Sequence, residues 1–214
     1  EIAPLFTIEN TIEEAPGMRP YSPLELAGRD IYVREGCYAC HSQMIRTLKS
    51  DVDRYGYYSL AAESMYDHPH QWGSKRTGPD LARIGEKYSD AWHVAHLKAP
   101  REFVEGSVMP GYPFLSETLL NTKPLPASLR ALQRAGVPYS DAHVERAASD
   151  AAAQADIDAD FEDDLRESYG ENVQVRDFDG QPDRLTEMDA LVAYLQMLGT
   201  LVDFDQIKTE EIAR

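Results

Sequence analysis

Two cysteines and a histidine lie within a short stretch of this chain, in the order Cys37-Tyr38-Ala39-Cys40-His41. This C-x-x-C-H spacing is the pattern for covalent attachment of a c-type haem, in which both thiols form thioether bonds. The adjacent His41 is then placed to offer a ring nitrogen to the iron, as the proximal histidines of haem proteins do. Because a porphyrin must be enclosed, the motif predicts a haem-binding domain and, with it, an electron carrier.

Two other chemistries use similar residues. A structural zinc site needs four nitrogen or sulfur ligands, and this motif offers three at close range in a chain with only two cysteines. A thiol oxidoreductase places its C-x-x-C near a βαβ pattern, whereas apolar residues at helical spacing precede this motif and polar residues follow it. Zinc is therefore a poor fit, and the thiol oxidoreductase remains a weaker alternative.

Length and charge bound the class of protein. A chain of 214 residues can remove about 70% of its unfolded surface from water in one core, so residues 1–214 are predicted to form one domain. The formal net charge of -16 argues against a nucleic-acid partner. Residues 141–189 hold 16 acidic side chains and four arginines, so most of the excess negative charge lies in this quarter of the chain.

Membrane and export signals are missing from the sequence. No run of 18 apolar residues occurs, so no helix is expected to span a bilayer. Residues 1–16 lack the basic and apolar regions of a signal peptide. We therefore expect a soluble chain whose Glu1 is a cut end and whose export was directed by a segment outside this sequence.

Helix signals are strongest near the two ends of the chain. Ser22, Pro23 and Glu25 form an N-cap, a proline at the first helical position and a capping box, which predict a helix from residue 23 to about residue 36. Thr186 and Asp189 predict a second capped helix that ends before Gly199. Gly28 gives the first helix a place for close approach, so we expect these two helices to cross.

Weaker signals lie between these helices. Helical character is predicted for residues 59–66, 89–98, 127–135 and 140 to about 167. Residues 147–181 are acidic with few apolar side chains, so we expect them to be partly mobile. Strand signals are weak throughout, and the predicted fold is all-α.

An electron-carrying haem needs a second axial ligand, and Met109 is the best candidate among six methionines. It lies in a loop rich in proline and glycine, Ser107-Val108-Met109-Pro110-Gly111, that can hold an extended backbone against the far face of a haem. The pairs His68 and His70, and His93 and His96, are rivals for which we expect solvated or packed imidazoles and no metal role.

A turn downstream of the motif supplies a candidate partner for His41. Pro79, in Thr77-Gly78-Pro79-Asp80-Leu81, exposes a carbonyl of fixed geometry, and a ligating histidine normally donates its other ring N–H to such an acceptor.

The haem motif, the Gly78-Pro79-Asp80-Leu81 turn and Met109-Pro110, in this order, resemble the landmarks of class I cytochromes c. Further strings are similar to the monohaem cytochrome c subunit, subunit II, of cbb3-type cytochrome c oxidases. They are YSPLELAGR at 21–29, REG at 34–36, HSQMIR at 41–46, YSLAAESMYDHP at 58–69, QWGSKR at 71–76 and WH at 92–93.

The resemblance implies a class I cytochrome c-like domain on the periplasmic side of a bacterial membrane, with one covalent haem c. In that family an N-terminal transmembrane helix, absent from this sequence, anchors the subunit. Electrons would arrive from the dihaem cytochrome c subunit or a soluble cytochrome c and pass to the haem-copper catalytic subunit, where oxygen is reduced. The chain itself would catalyse no reaction. Carried over to this sequence, Cys37 and Cys40 attach the haem, and His41 and Met109 bind its iron.

Four segments divide the predicted domain. A haem-binding core comprises residues 21–120 and 185–200, residues 1–20 are an N-terminal extension, and residues 121–184 are an acidic insertion. Residues 42–76 form a long loop with aromatic and basic side chains that predict a docking surface for the catalytic subunit, with some arginines paired to haem propionates. A haem-based sensor with a labile Met109 remains the alternative from a different functional class.

Overall fold

The computed structural model describes residues 15–73, 75–156, 161–202 and 204, and the fold in these ranges is all-α, as predicted. The helices are α1 (Pro23–Arg34), α2 (Lys49–Tyr55), α3 (Asp90–Lys98), α4 (Pro100–Phe103), α5 (Leu125–Arg134), α6 (Asp141–Gln154), α7 (Glu162–Tyr169) and α8 (Glu187–Met197). Three 3-10 turns cover Cys37–Ala39, Ala61–Ser64 and Pro113–Ser116. The β-pairing within these ranges is one isolated bridge between Leu119 and Thr186.

Capping residues set the starts of the two strongest helices. In α1 the Ser22 Oγ accepts a hydrogen bond from the Glu25 backbone N–H, and the Glu25 carboxylate accepts one from the Ser22 N–H at 2.9 Å. Thr186 and Asp189 form the same reciprocal pair at the start of α8. Both predicted capping boxes are confirmed.

Helices α1 and α8 cross at Gly28. A Cβ atom at Gly28 would lie 1.9 Å from the carbonyl oxygen of Ala190, so only glycine permits this approach. Next to the crossing, the buried Tyr194 ring packs against the rings of Tyr21 at 5.9 Å and Tyr32 at 5.6 Å between centroids. The crossing therefore fixes the core against which the rest of the chain packs.

Several predicted helices differ from the observed ones. Residues 59–66 form only the 3-10 turn Ala61–Ser64, and residues 140–167 contain α6 and α7 rather than one helix, with 157–160 outside the described residues. Helix α3 is confirmed, with Ser89 as its N-cap, and the helix predicted at 127–135 is α5. Helices α2 and α4 were not predicted. Helix α4 begins at Pro100, because proline is well suited to a first helical position.

The described residues of 147–181 bury more apolar surface than their composition led us to expect, and their mobility stays a prediction. Although apolar side chains are few in this segment, six of them are buried: Ala147, Ala151, Leu165, Tyr169, Val173 and Phe178. Ala147, Ala151 and Phe178 belong to the same core cluster as the α1 and α8 residues. Alanine buries enough surface here because it allows α6 to approach its neighbours closely, which composition alone does not show.

The predicted haem-binding core and the predicted acidic insertion contribute side chains to one hydrophobic core. Leu125, Leu129 and Tyr139, from the predicted acidic insertion, lie in the same cluster as Leu24 and Tyr194. Residues 1–14 of the predicted extension lie outside the described residues. The described helices include none with the length and apolar character that crossing a membrane requires.

Candidate functional site

The two cysteines lie in a tight turn directly after α1. Gly36 adopts a left-handed conformation with φ 73°, which turns the chain out of the helix and into the 3-10 turn Cys37–Ala39. The backbone N–H groups of Cys40 and His41 both donate to the Cys37 carbonyl, at 3.1 and 3.0 Å. Both thiols are free, Cys37 being partly buried and Cys40 exposed. The turn thus holds two thiols and an imidazole in a fixed order along one short stretch of backbone.

The His41 ring is oriented by the turn at residues 78–80. Its Nδ1 lies 2.8 Å from the carbonyl oxygen of Pro79. Since a carbonyl oxygen can only accept a hydrogen bond, Nδ1 carries the proton and Nε2 keeps its lone pair. The Gly78 N–H donates to the Cys40 carbonyl and the Leu81 N–H to the Ser42 carbonyl, so the turn is fastened on both sides of the histidine.

Gly78 makes this approach possible, and its replacement gives a prediction. A Cβ atom at this position would lie 2.2 Å from Cε1 of His41, so we expect Gly78→Ala to displace the ring and break its bond to Pro79. Loss of a bond that contributes about 1 kcal/mol should speed exchange of the Nδ1 proton about fivefold or more. Proton NMR measures this rate. Glu145→Ala is the control, because Glu145 is exposed on α6, away from this turn. Equal exchange rates in both variants would contradict the described geometry.

Met109 lies in a loop held against the end of α3. The Tyr112 N–H donates to the Leu97 carbonyl at 2.7 Å, and a Cβ at Gly111 would lie 2.6 Å from the Lys98 carbonyl oxygen. Met109 itself is partly buried and packs against the core. The loop therefore presents its methionine from the side of α3, separately from the cysteine turn.

A cleft of about 980 Å³ brings these elements together. All five site residues predicted from the sequence line it: Cys37, Cys40, His41, Pro79 and Met109. Leu97 from α3 and Leu191 and Leu195 from α8 add apolar walls. The volume is at the upper end of the range for small-molecule and cofactor sites, about 300 to 1,000 Å³.

Comparison with known protein families gives a match over nearly the whole chain. The family described as cytochrome c oxidase, mono-heme subunit/FixO matches residues 1–202. The chain belongs to this family. No curated protein matches the chain. Membership in the mono-heme subunit family implies one haem, a role in electron transfer and association with the oxidase complex.

The cleft fits the haem that the mono-heme subunit family implies. The thiols of Cys37 and Cys40, the imidazole of His41 and the thioether of Met109 all line it, and they are the donor set of a covalently attached haem. The apolar leucine walls suit the macrocycle of such a group.

His93 and His96 are the cleft residues whose surroundings the sequence did not reveal. The His96 ring stacks on Trp92 at 4.6 Å, and His93 is 3% exposed. Burial lowers the pKa of His93 to about 4, so its imidazole is neutral at neutral pH. Their spacing of three, which puts both on one face of α3 with Leu97, was the signal that could have indicated a shared site.

Three arginines in the segment 42–76 differ in what surrounds them. Arg46 and Arg76 both form ion pairs with Asp51, and together they lower the pKa of this carboxyl group well below its usual range, Arg46 most strongly. Arg54, by contrast, lies over the Tyr55 ring and lines the cleft. Of these three arginines, Arg54 is the one placed to meet a group in the cleft.

Proposed function

We propose that this mono-heme subunit carries single electrons on one covalently bound haem c and passes them from a donor cytochrome to the haem-copper catalytic subunit. The observation that carries the proposal is the convergence of Cys37, Cys40, His41 and Met109 on one cleft. The first three lie in one short turn and Met109 in a separate loop, and together they are the donor set that a six-coordinate haem c needs.

Each residue has a separate task in this proposal. Cys37 and Cys40 would hold the group through thioether bonds, and His41, oriented by Pro79, would offer Nε2 to the iron. Met109 would offer its sulfur as the second ligand, and a thioether favours the ferrous state and raises the reduction potential. The group would supply a one-electron ferric/ferrous couple. Apolar side chains of α3 and α8 would pack against its macrocycle.

A thiol oxidoreductase is disfavoured by the environment of Cys37. Burial raises the pKa of this thiol to about 11. Catalytic cysteines of C-x-x-C enzymes have lowered pKa values, because the thiolate is the attacking species. At neutral pH the Cys37 thiol stays protonated, which is the opposite of what disulfide exchange requires.

Carbon monoxide distinguishes the electron carrier from the alternative, a haem-based sensor. With both axial positions filled by His41 and Met109, saturating carbon monoxide should leave the reduced spectrum of the wild type unchanged. Met109→Ala is the positive control, since it opens an axial position and should bind the gas. Rapid carbon monoxide binding by the wild type would favour the sensor, because it would show that Met109 is labile.

The partners and location extend the proposal beyond the family match. We infer that the donor is the dihaem cytochrome c subunit or a soluble cytochrome c, at the periplasmic face of the bacterial inner membrane. The negative charge of residues 141–189 supports a basic donor, since clustered charge speeds the encounter of oppositely charged proteins.

Trp72 is the test residue for docking of residues 42–76 on the catalytic subunit. Trp72 is 44% exposed, its ring stacks on His70 at 4.7 Å between centroids, and its Nε1–H donates to Ser64, so a partly exposed ring is held by two contacts. We expect Trp72→Ala to weaken binding to the catalytic subunit about 30-fold, as loss of an aromatic anchor worth about 2 kcal/mol does. Titration of the purified subunit against the rest of the complex measures this affinity.

Phe161, 56% exposed and outside this segment, provides the control variant Phe161→Ala. Unchanged affinity of Trp72→Ala, with a lowered unfolding midpoint, would show that Trp72 only packs on its own domain. That result would exclude Trp72 as an anchor of residues 42–76 on the catalytic subunit.

A further inference from the structure

Asp80 is a buried acid in the turn that orients the His41 ring. Its side chain is 0% exposed, and its Oδ1 accepts a hydrogen bond from the Ala82 N–H at 2.8 Å. Its Oδ2 accepts one from the Met44 N–H at 3.0 Å and another from the Ser42 hydroxyl. One carboxylate is therefore bonded to both stretches of chain beside the imidazole, the residues that follow the histidine and those that follow the turn.

Arg76 compensates the buried charge of Asp80 and strengthens the same connections. Its Nη2 lies 3.4 Å from the Asp80 Oδ2 and donates to the Met44 carbonyl at 2.9 Å. Its Nε donates to the Ser42 oxygen at 2.8 Å, while the Ser42 hydroxyl itself donates to the carboxylate. A buried carboxylate is tolerated when cations and hydrogen-bond donors surround it, and this set of donors gives the Asp80 side chain a well-defined position.

The position of Asp80 bears directly on the Pro79 carbonyl. That carbonyl and the Cα atom of Asp80 belong to one planar peptide unit, so the unit can turn only if the backbone angles on either side of it change. The side-chain bonds of Asp80 restrain this change, and so does the Leu81 N–H, which donates to the Ser42 carbonyl at 2.8 Å. The Pro79 oxygen thus stays 2.8 Å from the Nδ1 atom of His41.

The bond at Nδ1 affects the other ring nitrogen as well. A ligating histidine that donates its second N–H to a carbonyl has a fixed ring orientation and a more basic ligating nitrogen. We propose that Asp80 is a positioning residue, whose buried carboxylate holds the Pro79 carbonyl against His41 and so keeps the Nε2 atom strongly electron-donating. The inference rests on the proposed function, since it concerns His41 as a ligand of the haem iron.

Asp80→Asn tests this role, because it keeps the shape of the side chain and replaces one acceptor oxygen with an NH₂ group. That group would face the Met44 N–H and Arg76, which are donors themselves, so the turn should loosen and the bond from His41 should weaken. Resonance Raman spectra of reduced holoprotein that also carries Met109→Ala report the iron–histidine stretching band. We expect this band at lower frequency with Asp80→Asn than without it.

Asp51→Asn is the matched control. It removes another buried carboxylate that binds Arg76, at 2.9 Å, but one without a hydrogen bond to residues 78–82, all of which the structure describes. The stretching band should keep its wild-type frequency in this variant. An unshifted band in Asp80→Asn would overturn the proposal. An equal shift in Asp51→Asn would overturn it too, since the effect would then come from a lost charge and not from the turn.

A second measurement uses the wild type and so does not depend on how a variant folds. Hydrogen exchange followed by NMR should find the Met44 and Ala82 amides slow in the wild type and about fivefold faster or more in Asp80→Asn, as loss of one hydrogen bond predicts. Fast exchange of both amides in the wild type would overturn the proposal.

Visible spectra of the same samples separate the two levels of inference. A chain without covalent haem overturns the proposed function together with the role of Asp80. Covalent haem with an unshifted stretching band overturns the role of Asp80 alone.

Discussion

Replacing Gly28 with alanine is expected to destabilise the protein by at least about 3 kcal/mol, the upper range for overpacking a close contact. The added Cβ would lie 1.9 Å from the Ala190 carbonyl oxygen and 2.7 Å from the Cβ of Tyr194. Both are parts of α8 that cannot swing aside, so the two helices must separate. Thermal unfolding should show a midpoint about 6 to 12 °C lower, at 2 to 4 °C per kcal/mol for a chain of this size.

Glu145→Ala is the control for that variant, because Glu145 is exposed on α6 and lies outside the cleft lining. Its midpoint should stay close to that of the wild type, since surface substitutions usually change the free energy of unfolding by less than about 0.5 kcal/mol. Equal midpoints for Gly28→Ala and Glu145→Ala would contradict the close crossing of α1 and α8.

Replacing Met109 with alanine is expected to remove the weak far-red absorption band of methionine-to-ferric-haem coordination. It should also lower the reduction potential by more than about 59 mV, which is tenfold in the ferrous-to-ferric equilibrium of a one-electron couple. The physical reason is that the soft thioether favours ferrous iron, and water or no ligand favours it less. Potentiometric titration followed by visible absorption measures both changes.

Met44→Ala is the control for this variant, since Met44 is partly buried but outside the cleft lining. We expect it to keep both the band and the potential. A Met109→Ala protein that retained the far-red band would show that another residue binds the iron.

The sequence predicted those features that are encoded locally. Each capping box of α1 and α8 depends on the N-cap side chain and on the side chain three positions later, and both were correctly predicted. The turn at Pro79 likewise follows from a short motif, and the structure places its carbonyl beside the His41 ring. Gly28 indicated a close approach before its partner helix was known.

Features that depend on tertiary contacts were harder to predict. Ala147 and Ala151 are fully buried because α6 packs closely on the core, although the acidic composition around them suggested mobility. Some arginines of residues 42–76 were expected to pair with haem propionates, yet Asp51 and Asp80 bind one of them, Arg76, in the folded chain. The sequence left open whether His93 is packed or solvated, and the folded chain buries it between the rings of Tyr88 and Trp92.

The most direct test of the central claim is whether haem stays with the chain after denaturation. Wild type and the Cys37→Ser, Cys40→Ser double variant should be produced in cells competent for haem c attachment, then extracted with acidified organic solvent and assayed as the reduced pyridine complex. We predict one haem per wild-type chain that resists extraction, and none bound covalently to the double variant. A wild-type chain that carries no haem, or that releases it on extraction, would contradict the assignment of Cys37 and Cys40 as attachment sites and of the cleft as a haem c site.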